Sequence, residues 1–169
     1  ELKQLLGLKD PPRRIEGYDI SHISGSNTVA SMVVFQNGAS DRTAYRKFKI
    51  KSSKNDDTAS MYEVIFRRLK HPEWPFPDLI ILDGAVPQLS AVIHLLESAR
   101  IPVIGRNKSG DHTRNADVNV IIPVRQSDGS YTYKSQLYSN DSHLAKLIAR
   151  IDEESHRFAI TYHRQLRSK

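Results

Sequence analysis

Two aspartates stand where a carboxylate is costly. In the stretch RIEGYDISHISG, which starts at Arg14, residues 15–20 read as a strand, and Asp19 interrupts it where a hydrophobe would pack better. Aspartate is disfavoured inside strands and loses hydration when buried. Alternation puts Ile15, Gly17 and Asp19 on one face and Glu16, Tyr18 and Ile20 on the other. Asp83 closes LIIL, an unbroken apolar run that suits a strand buried on both faces of a parallel sheet. Its carboxylate therefore emerges at the carboxyl end of that strand, where open α/β sheets place ligand sites. If the two strands are neighbours, two carboxylates meet at one sheet edge, and their repulsion raises a pKa unless a cation intervenes. A hard divalent ion such as Mg²⁺ or Mn²⁺, bound by oxygen and open to phosphate, resolves that conflict. Asp83 followed by Gly84 also fits a turn or a cap, so the constellation and not the single residue carries the expectation.

The C-terminal helix supplies a third group. His156 lies beside its apolar stripe and shares a flank with Asp152 one turn earlier and Ile160 one turn later. It can border a sheet without filling the core. A helical histidine is equally an ordinary surface residue, and Asp152, Glu153 and Glu154 an ordinary solvated face.

These side chains need elements to hold them. ELKQLLGLKDPP, ending in a double proline, reads as a helix or linker from an upstream region over residues 1–12, with one domain over 13–169. Strands are expected at 15–20, 28–35 and 44–50, with QNG at 36–38 as a turn, forming an antiparallel meander. TASMYEVIFRRLKH follows as an amphipathic helix with Asp57 at or near its N-cap. After LIIL, Pro87 opens a helix through Ser98 that buries Leu89, Val92, Ile93, Leu95 and Leu96, and IPVIG is a short buried strand. Residues 106–117 read as a polar surface loop, and NVIIPVRQSDGSYTYKSQLY as a hairpin turning at Asp128 and Gly129. The last helix starts near Ser142, with a stripe of Leu144, Leu147, Ile148, Ile151, Phe158, Tyr162 and Leu166. Three antiparallel strands feeding a parallel α/β half, then a long helix, is the order of an RNase H-like α/β fold with a mixed sheet.

Composition narrows the chemistry. The 169 residues include no cysteine, which removes disulfides, thiolate zinc sites and thiol nucleophiles and leaves Asp, Glu and His as metal ligands. No apolar run approaches the length of a membrane span, no signal-peptide pattern opens the chain, and a start on Glu1 is expected of a piece of something longer. A formal charge of +6 is compatible with an acidic partner. Between Asp41 and Lys54 stand Arg42, Arg46, Lys47, Lys49, Lys51 and Lys54 against Asp41 alone. This stretch either grips phosphates without reading sequence or is an edge strand protected by lysines. Arg157, Arg164 and Arg167 beside His156 are further candidates for DNA contact.

YDISH, NDD ahead of a helix, LIILDG followed by QL, and above all DEESHRFAITYHR resemble the C-terminal endonuclease region of UvrC, the nuclease subunit of bacterial nucleotide excision repair. The resemblance spans nearly the whole chain. It implies a cytoplasmic, metal-dependent endodeoxyribonuclease that makes the 5′ incision beside a lesion, with Mg²⁺ or Mn²⁺ as cofactor. By the same resemblance Asp19, Asp83 and His156 form the catalytic and metal-binding triad, and Asp57 is a further acidic position. The implied partners are damaged double-stranded DNA and, through the full-length protein, UvrB in a UvrA-loaded complex; no membrane and no small-molecule cofactor are expected, and the fragment should be monomeric. The family reads DGGKGQL where this chain has Asp83-Gly84-Ala85-Val86-Pro87-Gln88-Leu89, losing a glycine and a lysine next to the second aspartate. The rival expectation is a non-catalytic DNA- or partner-binding module on the same fold.

Overall fold

In the computed structural model, residues 2–23, 27–52, 56–108 and 117–167 are described, with side chains except at 5, 23 and 162–167. A short helix α1 (Leu2–Leu6) precedes the sheet, with Leu2 and Leu6 packed against the core. Strands β1 (Arg14–Ile23), β2 (Asn27–Gln36), β3 (Ala39–Ser40) and β4 (Arg46–Lys49) are followed by α2 (Asp57–Leu69), β5 (Leu79–Asp83), α3 (Val86–Ser98) and β6 (Val103–Asn107). The hairpin β7 (Val118–Arg125) and β8 (Tyr131–Tyr138) and the long helix α4 (His143–Arg167) complete the chain.

Among the described residues these strands form one eight-stranded sheet in the order β3-β2-β1-β5-β6-β7-β8, with β4 beside β3 along β2. β1 and β6 flank β5 in parallel and every other pairing is antiparallel, so the expected mixed sheet is present. The turn at Asn37 and Gly38 has positive φ at both residues, 54° and 83°, the conformation of a tight hairpin. The second hairpin turns at Gly129, φ 88°, as the DG pair suggests.

Several boundaries differ from expectation for local reasons. The third strand does not begin at Ala44, because Arg42–Ala44 form a 3₁₀ turn closed by the Tyr45 amide on the Arg42 carbonyl. Pro87 is the second helical residue of α3, not the first, and Leu95 is only half-buried. Residues 106 and 107 belong to β6 and not to a loop, since Arg106 and Asn107 pair with Val120 and Asn119. Residues 109–116 of that loop lie outside the described residues. No helix among the described residues is long and apolar enough to cross a membrane.

Both sheet faces are covered. Helices α2 and α3 pack on one side, where Glu16 and Tyr18 point, and α4 packs on the other, where Leu144, Ile148 and Ile151 are buried. Of the stripe expected on α4, Leu147 and Phe158 are half-buried, and the side chains of Tyr162 and Leu166 lie outside the description. α4 comes close to the sheet because Gly17 has no side chain: a Cβ there would stand 2.5 Å from Ile151 Cγ2 and 3.3 Å from Val33 Cγ2. Beneath α2, the fully buried Glu16 accepts from Arg68 at 2.9 Å and from the Tyr18 hydroxyl at 2.6 Å, and Arg68 also donates to the Pro75 carbonyl at 2.7 Å. A buried charge is tolerated only when paired in this way.

Gly17→Ala is expected to destabilise the protein by roughly 1–3 kcal/mol through overpacking. Denaturant unfolding should find much of that loss relieved in Gly17→Ala/Ile151→Ala relative to Ile151→Ala alone.

Candidate active site

The position of Asp19 beside Asp83 follows from how β1 and β5 start. Asp78 accepts the Arg13 and Arg14 amides on one oxygen, each at 2.9 Å, while its own amide donates to the Arg14 carbonyl at 2.8 Å. From that anchor the parallel register runs Ile15↔Leu79, Glu16↔Ile80, Gly17↔Ile81 and Tyr18↔Leu82. One residue further along, on the face covered by α4, come Asp19 and Asp83. On the far side of β5, Asp83 is in register with Arg106 of β6. Both aspartates leave the sheet at the carboxyl end of its parallel strands, as the apolar run before Asp83 implies.

The two carboxyls lie close enough to perturb one another. Burial, then the Asp83 contact and charge, push Asp19 up from 3.8 to about 7. Asp152 reaches the same group from α4. Burial raises its pKa, opposed by the charges of Arg106, with which it forms an ion pair, and of Lys108. Lys108 places Nζ 2.9 Å from Asp83 Oδ2. Although burial disfavours its charge, contacts with Asp83, Asp152 and Asp19 raise its pKa overall. The donor chemistry fits a hard divalent ion: two adjacent carboxyl oxygen donors whose mutual repulsion a cation would relieve. Among the described residues no three Asp, Glu or His side chains converge at metal-holding distance, so the pair is the nucleus of the site and not a finished coordination shell.

A family description, the UvrC RNase H endonuclease domain, matches residues 3–160. The chain belongs to that family. Proteins called UvrABC system protein C from Clostridioides difficile and Bdellovibrio bacteriovorus are 42% and 38% identical to it over 100% and 99% of its length. The chain spans about a quarter of those relatives, 26% and 27% respectively. Two solved structures of Ciona intestinalis endonuclease V, each with an inosine-containing DNA, share the fold at 13% and 15% identity, with TM-scores of 0.55 and 0.52. They cover 92% and 89% of this chain, and the matched region is 87% of each.

The UvrC-type motifs acquire physical roles in this frame. Within the NDD motif the N-cap is Asp56, not Asp57: Asp56 accepts the Ala59 amide at 3.0 Å, and Asp57 is the first helical residue. Freed from capping, Asp57 accepts from His22 Nε2 at 2.8 Å. That pair lies on the α2 side, because His22 has the parity of Tyr18 and not of Asp19. Asp57 is therefore not brought to the Asp19–Asp83 pair. At the altered loop, Gln88 returns its side-chain oxygen to the Ala85 amide at 2.9 Å, capping α3 without help from Ala85. Gly84 permits this turn, since a Cβ there would be 2.9 Å from Gln88 Cβ.

His156 is exposed on α4, one turn beyond Asp152 and one residue beyond the buried Ser155. The basic stretch divides by parity. Arg46 sits on the α2 side, 4.8 Å from the centre of the Trp74 ring. Lys47 lies in one lateral row with Ser31 and Asp19, on their face, with its ammonium 4.3 Å from the centre of the Phe158 ring. Lys49 and Lys51 are exposed. Arg42 and Arg157 both bond Glu154, Arg157 by two contacts of 3.1 and 2.8 Å, and with Tyr45 they hold that carboxylate down at about 2. The side chain of Arg164 lies outside the described residues. Sequence reasoning treated Asp152 as solvated and Arg106 and Lys108 as loop. Extending the VIG strand by two residues would have placed Arg106 in the sheet beside Asp83 and Lys108 directly after its end.

The raised pKa of Asp19 has a definite sign for stability. Its contribution is complete below the unfolded value of 3.8 and is lost as pH rises through about 7. With a chelator present, Asp19→Asn should stabilise the protein at pH 8 by on the order of 2 kcal/mol and change little at pH 4. Urea unfolding at the two pH values measures the difference.

Proposed function

We propose that this domain hydrolyses a phosphodiester of damaged double-stranded DNA, making the 5′ incision beside a lesion in nucleotide excision repair. In this reading it acts in the cytoplasm as part of a longer protein that meets UvrB in a UvrA-loaded complex. The observation that carries it is the adjacency of Asp19 and Asp83 at the open end of the parallel strands, where burial and the neighbouring carboxyl raise the Asp19 pKa. Membership of an endonuclease family and the lateral row from Asp19 to Lys47 support it.

Asp19 and Asp83 would hold Mg²⁺ or Mn²⁺, with Asp152 or His156 completing the donors. When bound, such an ion lowers the pKa of water and offsets the charge of a phosphate under attack. The protein's own part begins with deprotonation of Asp19, whose pKa burial and the Asp83 carboxyl raise to about 7. His156, exposed and one turn from Asp152, would move a proton to the leaving oxygen or serve as a ligand. Lys47 would receive a phosphate of the backbone some two strand spacings from Asp19, roughly 10 Å at about 4.8 Å each. Lys49, on the same side of β4, would extend that contact, with Lys51 further out, while Arg46 on the opposite face would not join it. Such contacts position DNA without reading bases, which suits a substrate defined by damage. Arg42, which ties α4 to the 3₁₀ turn ahead of β4, and Arg157, paired within α4, are both engaged with Glu154 and would reach DNA only by leaving that carboxylate.

In full-length protein supplied with UvrA, UvrB and a lesion-bearing duplex, Asp19→Ala, Asp83→Ala and His156→Ala should each reduce 5′ nicking by at least a hundredfold and leave the 3′ nick in place, read on a sequencing gel. Lys47→Ala should weaken incision several-fold and flatten its salt dependence. Unchanged 5′ nicking in both Asp19→Ala and His156→Ala would instead favour a binding module.

A further inference from the structure

The carboxylate cluster carries its own cations. Register places Arg106 beside Asp83, and Lys108, two residues on, has the same parity, so β6 directs two positive side chains at the carboxylates. They divide the work: Arg106 pairs with Asp152, and Lys108 with Asp83. Two cations thus face three carboxylates and offset most of their charge from within the chain. The two cations differ in how firmly they are fixed. The Arg106 side chain is 22% exposed, whereas that of Lys108 is 53% exposed, with its ammonium on a flexible stem that reaches Asp83 from solvent.

We propose that Lys108 is an internal counter-ion that occupies the cation position at the Asp19–Asp83 pair, and that a divalent ion enters by displacing it from Asp83. The inference rests on the reading of that pair as the metal-binding nucleus. Its physical basis is exclusion: an ammonium 2.9 Å from Asp83 Oδ2 takes the lone-pair direction an ion needs, and the two positive charges repel at close range. Lys108 therefore keeps the buried carboxylates tolerable in the metal-free chain and lowers the affinity for the ion that replaces it. The same residue makes the resting site stable and reluctant.

Mn²⁺ titration by calorimetry of the 169-residue chain and its variants tests this. Lys108→Gln should bind Mn²⁺ roughly tenfold tighter than the wild type, as expected when one nearby like charge is removed. Lys108→Arg, which keeps the charge, should stay near the wild type or below it. Without metal, Lys108→Gln should melt at lower temperature, and Mn²⁺ should restore more of its stability than it adds to the wild type. Lys108→Met, which keeps the stem, should behave as Lys108→Gln and separates charge from packing. Affinity in Lys108→Gln and Lys108→Met equal to or weaker than the wild type, while Asp83→Asn abolishes binding, would overturn the displacement and leave the metal reading intact. Binding unaffected by Asp83→Asn would place the ion elsewhere and remove both.

Discussion

The structure depends on the parallel register of β1 against β5. Asp78 sets it at one end by gathering the amides of Arg13 and Arg14, and five residues later along both strands it delivers Asp19 next to Asp83. A one-residue slip would turn one aspartate to the opposite face. Glu16 reinforces the register from inside. Its buried carboxylate ties β1 to Arg68 at the end of α2, and Arg68 in turn holds the carbonyls of the segment that leads into β5. A buried ion pair gives little net stability against an apolar alternative, but breaking it leaves an unpaired charge in the core. What it secures here is alignment, because misregistered arrangements would strand that charge.

On the opposite face the requirement is proximity. Gly17 lets Ile151 approach the sheet, which brings the flank of α4 that carries Asp152 over the carboxylates. Such crowding works against the stability of the anions, as the raised pKa of Asp19 records. Arg106 and Lys108 moderate that cost by pairing with Asp152 and Asp83. Glu154 is the contrasting case. Two arginines and a tyrosine hold it ionised, and it serves to fasten the helix.

Much of the fold could be read from the chain because its signals are local. Asn37-Gly38 and Asp128-Gly129 mark turns through backbone conformations that few other residues adopt, and LIIL declares a strand covered on both faces. Errors came where two local options compete. Asp56 and Asp57 can each cap a helix, and only the Ala59 amide decides between them. Arg42–Ala44 can extend as strand or close as a 3₁₀ turn, and β2 offers a partner only from Arg46 onward. The Arg106 and Asn107 pair is polar enough to look like loop, yet it belongs to β6 because Val120 and Asn119 are waiting beside it.

The sequence by itself determined the element order, the cost of Asp19 in a strand, the exit of Asp83 at a strand end and, through the motif around His156, the family. These properties depend on residue type and spacing along one stretch of chain. Only the tertiary structure decided that Asp19 meets Asp83, that Asp57 turns away to His22, and that Asp152, Arg106 and Lys108 join the carboxylates. The physical reason is that charge interactions depend on distance through space, and the strands and helix that set those distances are up to 133 residues apart in the chain, from Asp19 to Asp152.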